Sequence, residues 1–306
     1  MDVIPSLRCL RAVAAVADRG SVLGAAETLN LSQPAVSRAI RDLEKTLGLT
    51  LFERHHSGML CTEVGALVAH RYRRVLHQFA RAERQLAQLQ LDGHFQRLNQ
   101  RLSQRHLKVL VTLAETHNER QAARCLALTQ PTISASLRDL EGRLATPLFL
   151  RTQRGLIATP CGTLLTRHTK VALRELALLQ DDLAAWRGEA QGRVVIGALP
   201  LTSSLLVPRA VDELLREHPG LVVTVHEGTY DVLFEALRSG EIDVLVGVLH
   251  RIDPEEEMTQ KVLMHDRLAA VARPWHPLMD HPNLTLARIL HRKWKKRLKI
   301  GYNSRA

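Results

Sequence analysis

Apolar residues recur every three or four positions along most of the first 190 residues, and this spacing predicts amphipathic helices. The pattern is clearest over residues 21–51, which predict a short helix, a break at Asn30 and Leu31, and a second helix after Ser32. Ser32 is a favourable N-cap, and Pro34 lies in the first turn, where the missing N–H costs nothing. The apolar stripe of the second helix predicts its buried side and consists of Val36, Ile40, Leu43 and Leu47.

The opposite side of this second helix carries short polar groups and guanidinium groups, namely Ser32, Gln33, Ser37, Arg38 and Arg41. A helix with such a face, held by a short helix of small residues, has the form that enters the major groove of DNA. The alternative is an ordinary helical hairpin on a protein surface, because sequences with a helix-turn-helix pattern also occur in proteins that do not bind DNA.

The chain contains this stretch twice, at a constant offset. Leu10 aligns with Leu107, which sets the offset at 107 − 10 = 97 residues. The same offset aligns further identical segments without a gap, namely Ala25-Ala26 with Ala122-Ala123, Gln33-Pro34 with Gln130-Pro131, 41–44 with 138–141, Leu51-Phe52 with Leu148-Phe149, and Gly65 with Gly162. A register held over this length indicates an internal duplication.

Both copies combine a pair of alanines, a Gln-Pro start of the second helix, a Leu-Phe-x-Arg strand, and then Gly and Thr-x-x-Gly. This motif resembles the winged helix-turn-helix unit of the LysR-type transcriptional regulators. Most members of that family carry one such unit. A minority carry two, and some of these regulate genes of sugar-binding proteins, including galactose-binding proteins. The resemblance covers both repeats and, more weakly, residues 192–286.

The resemblance implies that each unit contacts duplex DNA through its second helix and through the hairpin, or wing, that follows. In the first unit the expected contacts are Ser21, Ala25, Ser32, Gln33, Pro34, Ser37, Arg38, Arg41 and Arg54. In the second unit they are Thr129, Gln130, Pro131, Ser134, Arg138, Arg151 and Arg154. Because Ala135 replaces Arg38, we expect the first unit to discriminate more strongly between DNA sequences. The second unit would read a different site, add phosphate contacts, or act as a spacer for dimerisation.

Each wing is followed by a predicted long helix whose apolar residues alternate steps of four and three, a seam typical of helix pairing. The first seam consists of Val68, Tyr72, Val75, Phe79, Ala82, Leu86 and Leu89. The second consists of Leu165, Thr169, Ala172, Leu176, Leu179, Leu183 and Trp186. In the family this linker helix dimerises the protein, so we expect pairing between two chains or between the two repeats. The alternative is that each helix packs on its own domain.

From residue 192 onwards, short β-branched runs alternate with helical patterns, which predicts a parallel sheet. Strands are expected at 193–197, 221–227 and 242–248, and helices at 205–217 and 230–239. The stretch resembles the first half of the LysR-type effector domain, which is similar to periplasmic solute-binding proteins. By position, Thr202, Ser203 and Thr229 would bind a small anion or a sugar at the strand ends. Alternatively, all three are helix N-caps.

The expected fold is therefore two winged helix-turn-helix domains with long linker helices, followed by a partial α/β domain of the periplasmic-binding-protein type. The expected domains are 1–62, linker 63–103, 104–159, linker 160–191, effector domain 192–290 and a basic tail 291–306. Since no second effector subdomain follows, we expect a truncated or frame-shifted reading frame. A phosphate-binding tail is the competing interpretation.

Charge favours a polyanionic partner for the first part of the chain. Residues 1–200 hold 27 Lys and Arg against 17 Asp and Glu (27 − 17 = +10), residues 201–287 hold 7 against 14 (−7), and residues 288–306 hold 8 against none (+8). A basic N-terminal part suits DNA, although solvated helix faces would give the same count. The four cysteines lack metal-ligand spacing, so no metal or cofactor is expected.

These patterns predict a cytoplasmic transcriptional regulator that binds promoter DNA as a homodimer or tetramer and responds to a small-molecule inducer such as a sugar or small acid. No nucleophile, base and acid occur at catalytic spacing, so an enzyme is not expected. No run reaches the ~18 apolar residues of a membrane span, and no signal peptide is recognisable. The alternative is a ligand-binding or adaptor protein that joins full-length regulators without binding DNA productively.

Overall fold

The computed structural model describes residues 6–56, 58–89, 93–153, 155–188, 192–251, 258–265 and 273–275. The chain forms two compact units, Met1–Val246 and Gly247–Ala306. All helices and strands of the described residues belong to the first unit. The predicted basic tail, residues 291–306, and the predicted DNA contact Arg154 lie outside the described residues.

The first repeat consists of three helices, a hairpin and a long helix. These are α1 (Leu7–Arg19), α2 (Val22–Leu29), α3 (Gln33–Leu47), β1 (Phe52–His55), β2 (Gly58–Cys61) and α4 (Glu63–Gln88). Asn30 ends α2 in the left-handed conformation, with φ of 51°, and so produces the predicted break before α3. Ser32 occupies the predicted N-cap position of α3, but its side chain makes no capping hydrogen bond.

The second repeat has the same order of elements after a short connecting helix. These elements are α5 (Leu98–Arg101), α6 (Gln104–Thr116), α7 (Glu119–Cys125), α8 (Gln130–Leu144), β3 (Phe149–Thr152), β4 (Gly155–Ala158) and α9 (Pro160–Trp186). The starts of α3 and α8 keep the offset that the sequence predicts, 130 − 33 = 97. Each hairpin is antiparallel and has the same register, as the pairs Arg54–Met59 and Arg151–Leu156 illustrate.

A continuous apolar core runs beneath both repeats and buries the predicted stripe of α3. The linker helices α4 and α9 pack against each other within the chain. Their apolar seams are buried as predicted except at the ends, where Leu89 is 39% and Trp186 is 48% exposed. The prediction was wrong for these two residues because Leu89 is the C-cap of α4 and Trp186 is the last residue of α9, beyond the packed part of the seam.

The α/β part contains the predicted parallel sheet. Its elements are β5 (Gly192–Ala198), α10 (Pro200–Ser203), α11 (Leu206–Glu217), β6 (Leu221–Glu227), α12 (Tyr230–Arg238) and β7 (Val244–Val246), and the strand order is β6-β5-β7. The third strand is shorter than the predicted 242–248 because β7 pairs only with residues Ile196 to Ala198 of β5. Val195, Leu233 and Ile242 form a small separate core.

Candidate nucleic-acid interface

The helix α3 presents a polar face on the side opposite its buried stripe. Ser32, Gln33, Pro34, Arg38 and Arg41 are exposed, and Ser37 is half-buried. The stripe fixes the rotation of the helix, because Val36, Ile40 and Leu43 are at most 4% exposed. Across the described part of the chain, the side chains of Gln33, Arg38 and Arg41 have no hydrogen-bond or ion-pair partner, so their donors remain available to a ligand.

The wing of the first unit is fixed to the corner between α1 and α2. The backbone N–H of Met59 donates to the carbonyl oxygen of Gly20 at 2.9 Å. Gly58 precedes it with φ of 135°, and a Cβ atom there would lie 2.5 Å from the same oxygen, so only glycine fits. Arg54 lies on this wing, exposed to solvent and without an acidic partner among the described residues. The wing therefore has a fixed backbone position beside the unit and carries an exposed arginine side chain.

A second glycine sets the wing against the linker helix. A Cβ atom on Gly65 would lie 2.1 Å from the carbonyl oxygen of Leu51. The hydroxyl of Thr62 caps α4 by accepting from the Gly65 N–H at 3.0 Å. The second repeat has the same arrangement, since a Cβ atom on Gly162 would lie 2.1 Å from the carbonyl oxygen of Leu148. The Thr-x-x-Gly motif therefore marks close backbone contact between wing and linker helix.

Two residues of the first predicted DNA surface have other roles. Ala25 is completely buried in the core, so the prediction that it contacts DNA is wrong. The alanine pair allows α2 to pack closely, which is a structural requirement. Ser21 is half-buried, and its hydroxyl caps α2 by accepting from the Gly24 N–H at 3.1 Å.

The corresponding face of α8 is only partly free. Thr129, Gln130, Pro131 and Arg138 are exposed, and Thr129 caps α8 by accepting from the Thr132 N–H at 3.4 Å. In contrast, Ser134 and Arg151 both bind the carboxylate of Glu119. The Arg151 Nη2–Glu119 Oε1 distance is 2.5 Å, and the hydroxyl of Ser134 donates to Oε2.

Glu119 is not among the residues that the sequence predicts for the DNA surface. It is 7% exposed at the first turn of α7, and the repeat offset of 97 residues places Val22 at this position in the first unit. The replacement of an apolar residue by an acidic one was the available signal. Its consequence is that a negative charge lies between two predicted DNA-binding groups and neutralises the guanidinium group of Arg151.

The linker helices are joined by a cluster of ion pairs around Glu175, whose side chain is 6% exposed. Its two carboxylate oxygens lie 2.9 Å from Arg71 Nη1 and 2.7 Å from Arg74 Nε. Arg71 also makes two bonds to Asp182, of 2.5 and 3.0 Å. The hydrogen bonds to Asp182 raise the pKa of the Arg71 guanidinium, although partial burial opposes this effect.

A polar cluster of different composition lies at the other end of the pair. His168 is 3% exposed, and its Nε2 lies 2.9 Å from the amide oxygen of Gln85 and its Nδ1 3.1 Å from that of Gln78. Burial, together with the positive charges of neighbouring arginines, Arg167 first among them, lowers the pKa of His168 to about 3. The imidazole is therefore neutral in the folded chain near neutral pH.

The hydroxyl residues predicted for the effector site follow the carboxyl ends of the parallel strands. Thr202 and Ser203 lie in α10 after β5, and Thr229 lies after β6 at the N-cap of α12, without a side-chain capping bond. Thr202 donates to the carbonyl oxygen of Val246 at 2.8 Å. The interpretation of all three as N-caps is therefore wrong for Thr202 and Ser203.

Among the residues that the structure describes, no group of three or more His, Cys, Asp or Glu side chains could hold a metal ion. The four cysteines are free thiols. None of the described helices is both long and apolar enough to span a bilayer.

Comparison with known families supports the resemblance. The family profile described as bacterial regulatory helix-turn-helix protein, lysR family, matches residues 7–66 and 104–163. The profile of the LysR substrate binding domain matches residues 187–295. The chain thus belongs to the LysR family of DNA-binding transcriptional regulators.

Two sequence relatives agree with this assignment. The chain is 36% identical to the HTH-type transcriptional regulator GalR of Pseudomonas putida over 95% of its own length and 72% of GalR. It is 33% identical to the HTH-type transcriptional regulator YvbU of Bacillus subtilis, over 60% of its own length and 62% of YvbU. Among solved structures, a full-length OxyR variant from Pseudomonas aeruginosa matches with a TM-score of 0.38 and 24% identity, covering 48% of this chain and 51% of that one.

Proposed function

We propose that this chain regulates transcription by binding promoter DNA sequence-specifically, and that α3 supplies most of the discrimination between sequences. The supporting observation is the polar face of α3, where Gln33 and Arg38 are exposed without partners in the described part of the chain. The glutamine amide can donate to and accept from the edge of adenine, and the guanidinium group of arginine can donate two hydrogen bonds to the edge of guanine. Arg54 on the wing then contacts phosphate, which adds affinity without selecting a sequence.

The second unit has a weaker reading face in this proposal. Ala135 lies at the position that Arg38 has in the first unit. Glu119 accepts a hydrogen bond from Ser134 and forms an ion pair with Arg151. Gln130 and Arg138 remain exposed and retain groups that can bind DNA. We therefore assign the second unit a supporting role in DNA binding.

The proposal extends to a small-molecule inducer, a sugar or a small acid, bound at the carboxyl edge of the parallel sheet. Thr229 is exposed at the N-cap of α12, where a hydroxyl at the start of a helix suits an oxygen-rich ligand. Isothermal titration with candidate sugars and small acids tests this part. Heat of binding that Thr229→Val weakens is the expected result, and absence of heat from every candidate would contradict it.

Gel-shift titration tests DNA binding, with duplexes selected from a random pool by the purified chain. The affinity should fall steeply between 50 and 200 mM salt, as phosphate contacts require. Arg38→Ala should weaken binding to the selected duplex by ~1–3 kcal/mol and leave binding to random DNA nearly unchanged. Arg216→Ala, which removes an exposed arginine of α11, serves as the matched control. Equal losses on both duplexes would refute base reading by Arg38, and no salt-sensitive binding would refute the proposed function.

A further inference from the structure

The contacts between the linker helices repeat when the two helices are exchanged. The repeat offset equates Arg71 with His168 (168 − 71 = 97) and Gln85 with Asp182 (182 − 85 = 97). In the structure Arg71 contacts Asp182, and His168 contacts Gln85. At each end of the helix pair, the position of Arg71 and His168 in one repeat therefore contacts the position of Gln85 and Asp182 in the other. This is the pattern of an antiparallel pair around a local two-fold axis. Gln78 and its counterpart Glu175 lie midway between these ends (175 − 78 = 97).

This symmetry shows which contacts a helix would make with a copy of itself. Two α9 helices in the same geometry would bring Glu175 close to the Glu175 of the other copy, and Asp182 would face His168 in place of Arg71. Two carboxylates would then be buried together without an arginine, a costly arrangement. Pairing α4 with a copy of itself would leave Arg71 and Arg74 without a carboxylate. Only the pairing of α4 with α9 matches the charges.

The segments that follow each linker helix support the same pairing independently. After α9, Arg187 Nη2 donates to the carbonyl oxygen of Leu47 at 2.6 Å, at the end of α3 in the first repeat. After α4, the N–H of His94 donates to the carbonyl oxygen of Leu144 at 2.7 Å, at the end of α8 in the second repeat. Leu47 and Leu144 are equivalent positions (144 − 47 = 97). Each linker helix thus leads to the recognition helix of the other repeat.

We propose that one chain forms a complete pair of recognition units, because α4 selects α9 of its own chain over a second copy. The covalent connection raises the effective concentration of the correct partner, and the Glu175 cluster disfavours the two self-pairings. A further consequence, which rests on the proposed DNA binding, is that a single chain covers two half-sites of different sequence, since α3 and α8 present different residues.

Cross-linking of full-length chains tests the pairing without using DNA. Gln85 and Arg167 are half-buried, and their side chains are in contact, with Arg167 Nη2 lying 2.8 Å from Gln85 Oε1. A chain carrying both Gln85→Cys and Arg167→Cys is treated with a short bismaleimide, and mass spectrometry identifies the joined peptides. In parallel, two differently tagged chains, each with one of these substitutions, are co-expressed and treated in the same way. The peptide analysis separates this link from links to the native cysteines.

The double variant should give the 85–167 link within single chains, and the co-expressed single variants should give no link between chains. Links between the two tagged chains would overturn the proposal, because they show α4 pairing with α9 of another molecule. Absence of the link from a folded double variant would overturn it as well. If that variant does not fold, Gln78→Cys with His168→Cys tests the same pairing of helices, since His168 Nδ1 lies 3.1 Å from Gln78 Oε1. Loss of DNA binding would appear only in the gel-shift titration, so the two proposals fail separately.

Discussion

Glu175→Gln should destabilise the chain strongly, although it changes the side chain very little in size. The substitution removes the negative charge that Arg71 and Arg74 share and keeps a group of the same shape. Glu175 is the least exposed member of the cluster, at 6% of its side chain, against 19% for Arg71 and 55% for Arg74. The substitution therefore removes a charge at the site where solvent water can least replace the lost interaction.

The expected magnitude follows from these exposures. Removing one partner of a fully buried pair costs about 3–5 kcal/mol, and a hydrogen bond to a charged group contributes about 1.5–3 kcal/mol. Arg71 keeps its two bonds to Asp182, and Arg74 is exposed enough to be solvated, so the range for a hydrogen bond to a charged group applies. We therefore expect less than the cost of a fully buried pair, namely a loss of about 1.5–3 kcal/mol, or a decrease in Tm of about 3–12 °C.

Urea unfolding followed by far-UV circular dichroism measures this change, and the matched control is Asp212→Asn. Asp212 forms an ion pair with Arg216 on the surface, where the two side chains are 60% and 74% exposed. Removing this pair should change stability by less than about 0.5 kcal/mol. If Glu175→Gln also stays within about 0.5 kcal/mol of the original chain, the cluster does not hold the linker helices together, and the argument from charge matching fails.

Three further outcomes are expected. Glu119→Val, which copies the first unit, should release Arg151, so that DNA binding tightens and the salt slope in gel shifts steepens by about 0.9. Gly65→Ala should cost about 1–3 kcal/mol in urea unfolding because its Cβ meets backbone, whereas Gly142→Ala, with no atom within 4 Å, should stabilise by about 0.5–1 kcal/mol. His168 should make stability fall as pH drops from 6.5 towards 3, by up to about 1.4 kcal/mol per pH unit, because the unfolded chain takes up a proton that the folded chain excludes; His168→Gln should remove this slope.

Each of these outcomes can be contradicted. An unchanged salt slope in Glu119→Val would mean that Arg151 does not reach DNA. Equal stability of the Gly65 and Gly142 variants would mean that the wing can move away from α4. A pH profile of His168→Gln that matches the original chain would assign the slope to other groups.

The helices and the sheet could be predicted from the sequence because their signals are local. The stripe of α3 has helical period, and the β-branched runs at β5 and β6 have the period and length of buried strands. Predictions failed at the ends of elements and at small side chains that can either pack in the core or face a ligand. Leu89 fits the heptad seam but lies at the end of its helix, and Ala25 belongs to the motif because it packs inside.

The partner of each linker helix could not be predicted from periodicity. Apolar seams of similar spacing on α4 and α9 are compatible with self-pairing and with mutual pairing. The distinction depends on a few charged residues beside the seams, Arg71 against Glu175 and Asp182, which are more than 100 positions apart in the sequence (175 − 71 = 104). The role of Glu119 likewise depends on the fold, which brings its carboxylate into contact with both Ser134 and Arg151.

The proposed internal pairing of α4 with α9 also affects how such a regulator would respond to its own abundance. A protein whose recognition units come from separate molecules must associate first, so the paired form grows with the square of concentration when it is scarce. A polypeptide that contains both units omits that bimolecular step, and its paired form grows in simple proportion to the number of molecules made. Promoter occupancy would then remain graded at low expression, and halving the gene dose would halve the supply of competent molecules.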